Sequence, residues 1–371
     1  MIYYDNAATG FPKHPACKKA ICDALITCAN SGRSVYEAAD EAARVLFLAR
    51  SRLAELFGAK PENVVLTQNA THALNLAIKG ASRRNREIII SNLEHNAVIR
   101  PSFAAFGSVK TFGVDLHDDK KTLKSFASAL SNRTSLVCFT YASNVCGKVL
   151  PVKELAKIAK SRGLTVIIDA SQAAGHFKID LAELGADILC LPCHKGLYAP
   201  TGTGALIAAD GVSIAPLIEG GTGTASREKT MPKFLPERLE AGTMNICGAA
   251  AIAAACDNFV YPTNENEIFR YLLHSLKDTG AVLYGAPERD DESYLPLIAF
   301  NMPRFPPERL AELLAMHGVC VRAGLHCAPT AHTALGTGKS GCVRLSIGRY
   351  NTMDEAHEFM QILRSVASDK S

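Results

Sequence analysis

The chain is expected to fold as an α/β protein, with a large, mostly parallel sheet domain covered by helices and a smaller α+β domain. Two observations lead there. Between about residues 64 and 195, short apolar runs alternate with segments of helical periodicity. Several runs, such as Val166-Ile-Ile and Ile188-Leu-Cys-Leu, carry no polar alternation, as strands buried between two helical layers do. Beyond about residue 248 the order changes, and at 371 residues the chain is long enough for a second core. The expected division is 14–250 for the large domain, and 1–13 with 251–371 for the small one.

Taken in order, residues 1–13 read as an extended arm, Tyr3-Tyr-Asp-Asn-Ala-Ala-Thr-Gly10, ending at Pro12. A helix near 14–28 follows. A longer one near 35–57 carries Val45, Leu46, Ala49, Leu53 and Leu56 along one stripe and stops at Gly58. Strand 64–67 leads to helix 70–78. Strands 87–92, 110–114 and 135–141 come next, then helix 152–161 and strand 164–169, which ends in the carboxylate of Asp169. Strand 188–191 delivers His194 and Lys195 into a loop rich in Gly and Pro. The stretch 211–247 is irregular. Helices 249–260 and 266–278, strands 281–284 and 294–300, helix 307–317, strands 319–322 and 343–347, and helix 353–366 complete the pattern.

Composition narrows the function classes. Hydrophobic residues make up 48% and charged residues 20%, a soluble balance, and the formal charge of +4 is dispersed. Nucleic acid is therefore not an expected partner. The N-terminus is not expected to be a signal peptide, and no apolar stretch is long enough for a membrane span. Twelve cysteines without a disulfide framework suggest reduced thiols and a cytoplasmic location. Cys190-Leu-Pro-Cys193 has redox spacing but straddles a strand end, so two ordinary thiols is the preferred reading.

In a parallel sheet, ligands sit beyond the carboxyl ends of the strands, and five features cluster there. Thr67-Gln-Asn-Ala70-Thr71 opens a helix, where backbone amides can hold a phosphate or simply be capped. His95 can stack on a flat cofactor, move protons, or cap a helix. Asn144 can donate to a phenolic oxygen or make a turn. Asp169, with Gln172 following, can keep a pyridine nitrogen protonated or cap a helix. Lys195, at the end of a buried strand, is costly as an ammonium, and a Schiff base with an aldehyde neutralises it; a solvated or phosphate-gripping lysine is the alternative.

With these residues in hand, the chain from Tyr4-Asp-Asn-Ala-Ala8 to Gly348-Arg-Tyr-Asn351 resembles the fold type I pyridoxal-phosphate enzymes of the class V aminotransferase superfamily. Within it, the chain is similar to cysteine desulfurases and selenocysteine lyases, closer to the second desulfurase group. The resemblance implies pyridoxal 5'-phosphate bound covalently to Lys195, with Asp169 on the ring nitrogen and His95 over the ring. It puts Asn144 and Gln172 near the phenolic oxygen, and Ala70, Thr71 and His194 at the phosphate. It gives Thr243, in Glu240-Ala-Gly-Thr-Met-Asn245, to the phosphate of a neighbouring subunit, which implies a homodimer. Val321-Arg-Ala-Gly-Leu-His-Cys-Ala-Pro329 resembles the persulfide-forming loop, with Cys327 as sulfur acceptor. Arg344, together with Asn144, would bind the substrate.

The function so implied is conversion of L-cysteine to L-alanine, with a persulfide on Cys327 passed to a sulfur-acceptor protein. Lys195 would move the α-proton and His95 assist. The rivals are a selenocysteine lyase acting on L-selenocysteine, another β-elimination or transamination, and a sulfur-delivery module working mainly with an acceptor protein. Three features depart from the family pattern: Pro192-Cys193 where a hydroxyl is usual, Gly196 as an extra residue after the lysine, and Leu325 where histidine is common.

Overall fold

The computed structural model describes residues 1–32, 35–82, 86–289 and 293–368; residues 33–34 and 83–85 of the span expected for the large domain, and 290–292 and 369–371 of that for the small one, lie outside them. After a short strand β1 (Ile2–Tyr3), the first part of the chain runs α1 (Pro15–Thr27), α2 (Glu37–Phe57), β2 (Val64–Thr67), α3 (Ala70–Gly80), β3 (Glu87–Ser91), α4 (Asn96–Ala105), β4 (Ser108–Phe112) and α5 (Asp119–Ala129). It continues β5 (Thr134–Thr140), α6 (Val152–Lys160), β6 (Thr165–Asp169), α7 (Leu181–Leu184), β7 (Ile188–Pro192), β8 (Gly204–Ala208) and α8 (Ile246–Asp257). Among the described residues the strands form one seven-stranded sheet in the order β2-β8-β7-β6-β5-β3-β4. Only β8 runs against its neighbours β2 and β7, so the sheet is mostly parallel, as expected.

The apolar strands divide their side chains between two cores. Val137 and Phe139 of β5 join Leu53 and Phe57 of α2, Leu155 of α6 and Ile252 of α8 on one face. Leu136 and Cys138, one residue out of phase, join Leu74 and Ile78 of α3 and Val98 of α4 on the other. This is the two-residue strand period applied to a sheet covered on both sides, and it leaves the polar residues of β3, β5 and β6 near the strand ends. Each fully buried Leu, Ile or Phe contributes roughly 1.5–3 kcal/mol.

The remainder runs α9 (Glu265–Lys277), β9 (Val282–Tyr284), β10 (Leu297–Asn301), α10 (Pro307–Met316), β11 (Val319–Cys320), β12 (Arg322–Gly324), α11 (Pro329–Ala334), β13 (Cys342–Ser346) and α12 (Met353–Ser368). Strands β12-β13-β10-β9 form a second sheet, whose core joins Phe300 and Leu345 to Leu272, Leu310 and Phe359. The arm belongs to this core through Ile2 and Tyr4: β1 pairs parallel with β11, and Tyr4 packs edge-on against Phe359. Among the described residues no helix is long and apolar enough to cross a membrane.

The structure corrects the sequence reading at several elements. Helices α4, α5, α7 and α11 and strand β8 were not expected. Pro101 inside α4 reads as a breaker; α5 buries only Thr122 and Phe126, too few for a visible stripe. Strand β8 is hidden by the glycines around it. The strand expected at 110–114 lies at 108–112. The single strand expected at 319–322 is two, β11 and β12, which belong to different sheets.

Candidate active site

Strands β2, β3, β5, β6 and β7 point the same way, so their carboxyl ends meet at one edge of the sheet. A cavity of about 480 Å³ opens there, solvent at its mouth included, and it is lined by Ala70, Thr71, His95, Asn144, Asp169, Gln172, His194 and Lys195. Eight residues singled out from five separate sequence segments thus come together. Ser171, which the sequence reading passed over, lines it too, and its amide donates to Asp169 Oδ1 at 2.9 Å.

Lys195 is the chemical centre. Burial pushes its ammonium down to about 8, Arg344 and Arg322 push the same way, and Asp169 opposes them. A neutral amine is therefore within reach near pH 7, as Schiff-base chemistry requires. His95 both lines the cavity and caps α4: its Nδ1 accepts from Ala97 N at 3.0 Å, and burial and Lys195 push its pKa down. The neutral ring then carries its proton on Nε2. His194 is held at about 4 by burial and Lys195, and its Nδ1 lies 3.0 Å from Thr9 Oγ1 of the arm. Lys13 donates to that same hydroxyl at 2.7 Å and to His194 O at 2.8 Å. Gln172 donates to Ala7 O at 3.1 Å. The arm therefore braces the cavity wall, a role its sequence did not announce.

At the start of α3, Asn69 Oδ1 accepts from His72 N, and the Ala70 and Thr71 amides belong to the turn whose N–H groups have no partner within the helix. A buried amine for an aldehyde, a carboxylate for a pyridine nitrogen and a helix N-terminus for a phosphate make a donor set that fits pyridoxal phosphate.

The Arg344 guanidinium, on β13, is buried. Its Nη1 donates to Asn144 O at 2.9 Å and its Nη2 to Asp5 Oδ1 at 2.8 Å, while Nε has no partner. A buried N–H without an acceptor is costly, and a substrate carboxylate would satisfy it. Asp5 is another arm residue that sequence reasoning missed; its only signal was its place in the arm motif. Glu94, quoted beside His95 but given no role, is another. Fully buried, its Oε1 accepts from Ser91 and Thr140 N, and burial pushes its carboxyl up to about 8.

Cys327 lies in the loop between β12 and α11 and is exposed. Its carbonyl accepts from Asn96 N at 2.8 Å, and Asn144 Nδ2 donates to His326 O at 2.8 Å. The loop is thus tied to two segments of the cavity edge, with Leu325 exposed beside it. Thr243 is not brought to Lys195: exposed, it lines a different cavity with Gln68 and His72.

One of the departures has a local reason. A Cβ on Gly196 would overlap Ala174 O, and one on Gly175 would overlap the backbone of Gly196, so the segment after the lysine packs backbone to backbone. Cys190 and Cys193 are both buried free thiols whose pKa burial raises well above the usual range. They are inert strand-end thiols rather than an active redox pair.

The family model for aminotransferase class-V matches residues 2–359. A probable cysteine desulfurase of Methanothermobacter thermautotrophicus is 32% identical over 365 residues, which cover 91% of this chain and 88% of the relative. One of Xylella fastidiosa is also 32% identical, covering 99% and 91%. Among solved structures, the apo cysteine desulfurase of Thermococcus onnurineus NA1 superposes with a TM-score of 0.90 at 28% identity, covering 99% of this chain and 94% of that one. A cysteine desulfurase of Escherichia coli in an S-sulfonic acid form gives 0.85 at 25%, covering 98% and 94%.

Proposed function

The chain belongs to the class-V aminotransferase family, and from that premise we propose that it is a pyridoxal-phosphate-dependent cysteine desulfurase, converting L-cysteine to L-alanine with the sulfur left as a persulfide on Cys327. The observation that carries the reading is a buried Lys195, its ammonium destabilised, on one cavity with Asp169, whose edge is bonded to the loop bearing an exposed cysteine. Pyridoxal phosphate, when bound, supplies an electrophilic aldehyde and a protonated ring that accepts electrons.

The protein's own groups have distinct tasks. Lys195 would hold the cofactor covalently and, once released by the substrate amine, take the α-proton. Asp169 would keep the ring nitrogen protonated, and His95 would cover the ring with a neutral imidazole. Ala70, Thr71 and His194 would hold the phosphate, and Asn144 and Gln172 the phenolic oxygen. Arg344 would meet the substrate carboxylate through its unpaired Nε, with Asp5 and the Asn144 carbonyl fixing the guanidinium plane. The Cys327 thiol takes the substrate sulfur, and the substrate carbon takes a proton in exchange, so cysteine and thiol become alanine and persulfide.

A homodimer in which Thr243 reaches the neighbouring phosphate belongs to this reading, supported by its exposure and its absence from its own chain's cavity lining. So do a sulfur-acceptor protein, a cytoplasmic location, and the division into 14–250 and 1–13 with 251–371.

Alanine and sulfide release from cysteine, beside selenide release from selenocysteine, tests the reaction. Cys327→Ala should keep the cofactor and still bind cysteine, while desulfuration falls by orders of magnitude, since a lost nucleophile removes a transition-state interaction. Full cysteine turnover by this variant, or a persulfide mapped to Cys193 or Cys342, would move the acceptor elsewhere. Selenide released much faster than sulfide, and unaffected by the substitution, would make the chain a selenocysteine lyase.

A further inference from the structure

Behind Cys327 lies a file of buried polar side chains that the reaction above does not use. His326 Nδ1 is 3.1 Å from His332 Nε2, and His332 Nδ1 is 2.7 Å from Thr337 Oγ1. At the other end, His326 Nε2 is 3.2 Å from Arg322 O. All three side chains are at most 4% exposed.

Their partners assign the protons. A carbonyl only accepts, so His326 Nε2 carries hydrogen. Burial, reinforced by Arg344, depresses both imidazoles, His326 to about 3, and both are neutral near pH 7. A neutral ring protonated on Nε2 leaves Nδ1 as an acceptor, so His332 donates to it from Nε2. His332 Nδ1 then accepts from the Thr337 hydroxyl. The file runs one way, from Thr337 through His332 and His326 to Arg322 O, and each link depends on the one before it.

The backbone gives this file something to hold. His326 and Cys327 are consecutive non-glycine residues in the left-handed region, with φ of 48° and 54°. L-residues disfavour that region, and such a pair persists only when its surroundings fix it. Asn144 and Asn96 hold the two carbonyls from the large-sheet side. The file is the only side-chain anchor on His326 from the second sheet and α11 among the described contacts.

We propose that Thr337, His332 and His326 are positioning residues for the sulfur-accepting thiol, their hydrogen-bond file locking the left-handed turn that presents Cys327 at the edge of the cavity. This rests on the reading of Cys327 as acceptor. A competing use exists, because Cys342 Sγ and one nitrogen of each histidine all lie within 4.8 Å of one another and the three could ligate a metal ion. The buried Arg344 guanidinium, which already depresses both histidines, argues against a further cation there.

Thr337→Val keeps the shape and removes the donor, and Thr337→Ser restores it. In cofactor-loaded protein, two rates separate thiol from cofactor chemistry. They are persulfide formation on Cys327 in a single turnover, by mass spectrometry, and exchange of the α-proton of L-alanine with D2O, which needs Lys195 but no thiol. The valine variant should form the persulfide roughly tenfold more slowly, the effect of one unsatisfied buried acceptor, with alanine exchange unchanged and serine recovering the rate. Persulfide formation in wild type that is indifferent to valine would overturn the file, as would equal losses in both rates or a serine variant as slow as valine. Stoichiometric metal in the wild type that is lost in His332→Gln would replace it with a metal site. A wild type that exchanges alanine but forms no Cys327 persulfide would instead overturn the acceptor reading and this proposal with it.

Discussion

At the scale of single residues, the site depends on environments that shift ordinary side chains. Lys195 has its ammonium pushed down to about 8 from a usual value above 10, because it is buried and two arginines face it. Its neutral fraction therefore rises with pH through about 8 and levels off above it. Cofactor uptake by the stripped protein, followed by the visible band and corrected for titration of the free aldehyde, should speed up to about pH 8 and then flatten. A rate still climbing toward pH 10 would mean an ordinary lysine is being modified. Sign and stability agree: a lysine depressed in the folded state costs stability below about 8, and the cost fades as pH rises between the folded and unfolded values. The identity of such residues was legible in the sequence because strand ends are, whereas Asp5 and Glu94 were not. Their roles come from what packs against them, Arg344 in one case and Ser91 and Thr140 in the other, and no local pattern encodes a contact across the fold.

At the scale of elements, the arm does more than its length suggests. Tyr4 is fully buried between the second sheet and Phe359, and its neighbours brace His194, Gln172 and Arg344. Tyr4→Ala should cost about 3–5 kcal/mol, as truncation of a buried aromatic does, read from the urea midpoint. It should also weaken cysteine binding, because Asp5 loses its anchor. A variant as stable as wild type would show that the arm merely lies on the surface. The buried strands and amphipathic helices were readable because their periods differ, 2 against 3.6. Helix α4 was not, since Pro101 breaks the pattern and the helix survives by a His95 cap and by packing on α3. Strand β11 ends where β12 begins, and only tertiary pairing separates them.

At the scale of the whole molecule, the site proposed for one chain is incomplete without Thr243 of another. Mixing Lys195→Ala with Thr243→Ala protein should yield hybrids in which one site carries both lesions and one carries neither, with activity recovered in proportion. Hybrids as inactive as their parents, or a monomer by sedimentation, would leave each chain to complete its own cavity. The pairing of β1 with β11 has a consequence for how the molecule is made. Ile2 and Tyr3 find their strand partners more than 300 positions later, at Val319 and Cys320, and Ser346, whose N and Oγ both donate to Tyr4 O, comes later still. The large sheet can assemble while synthesis continues, but the segment that braces its ligand-binding edge stays adrift until β13 has been made. Synthesis order and assembly order are thus reversed for the arm, and a polypeptide released short of β13 would own a finished sheet with an unbraced edge.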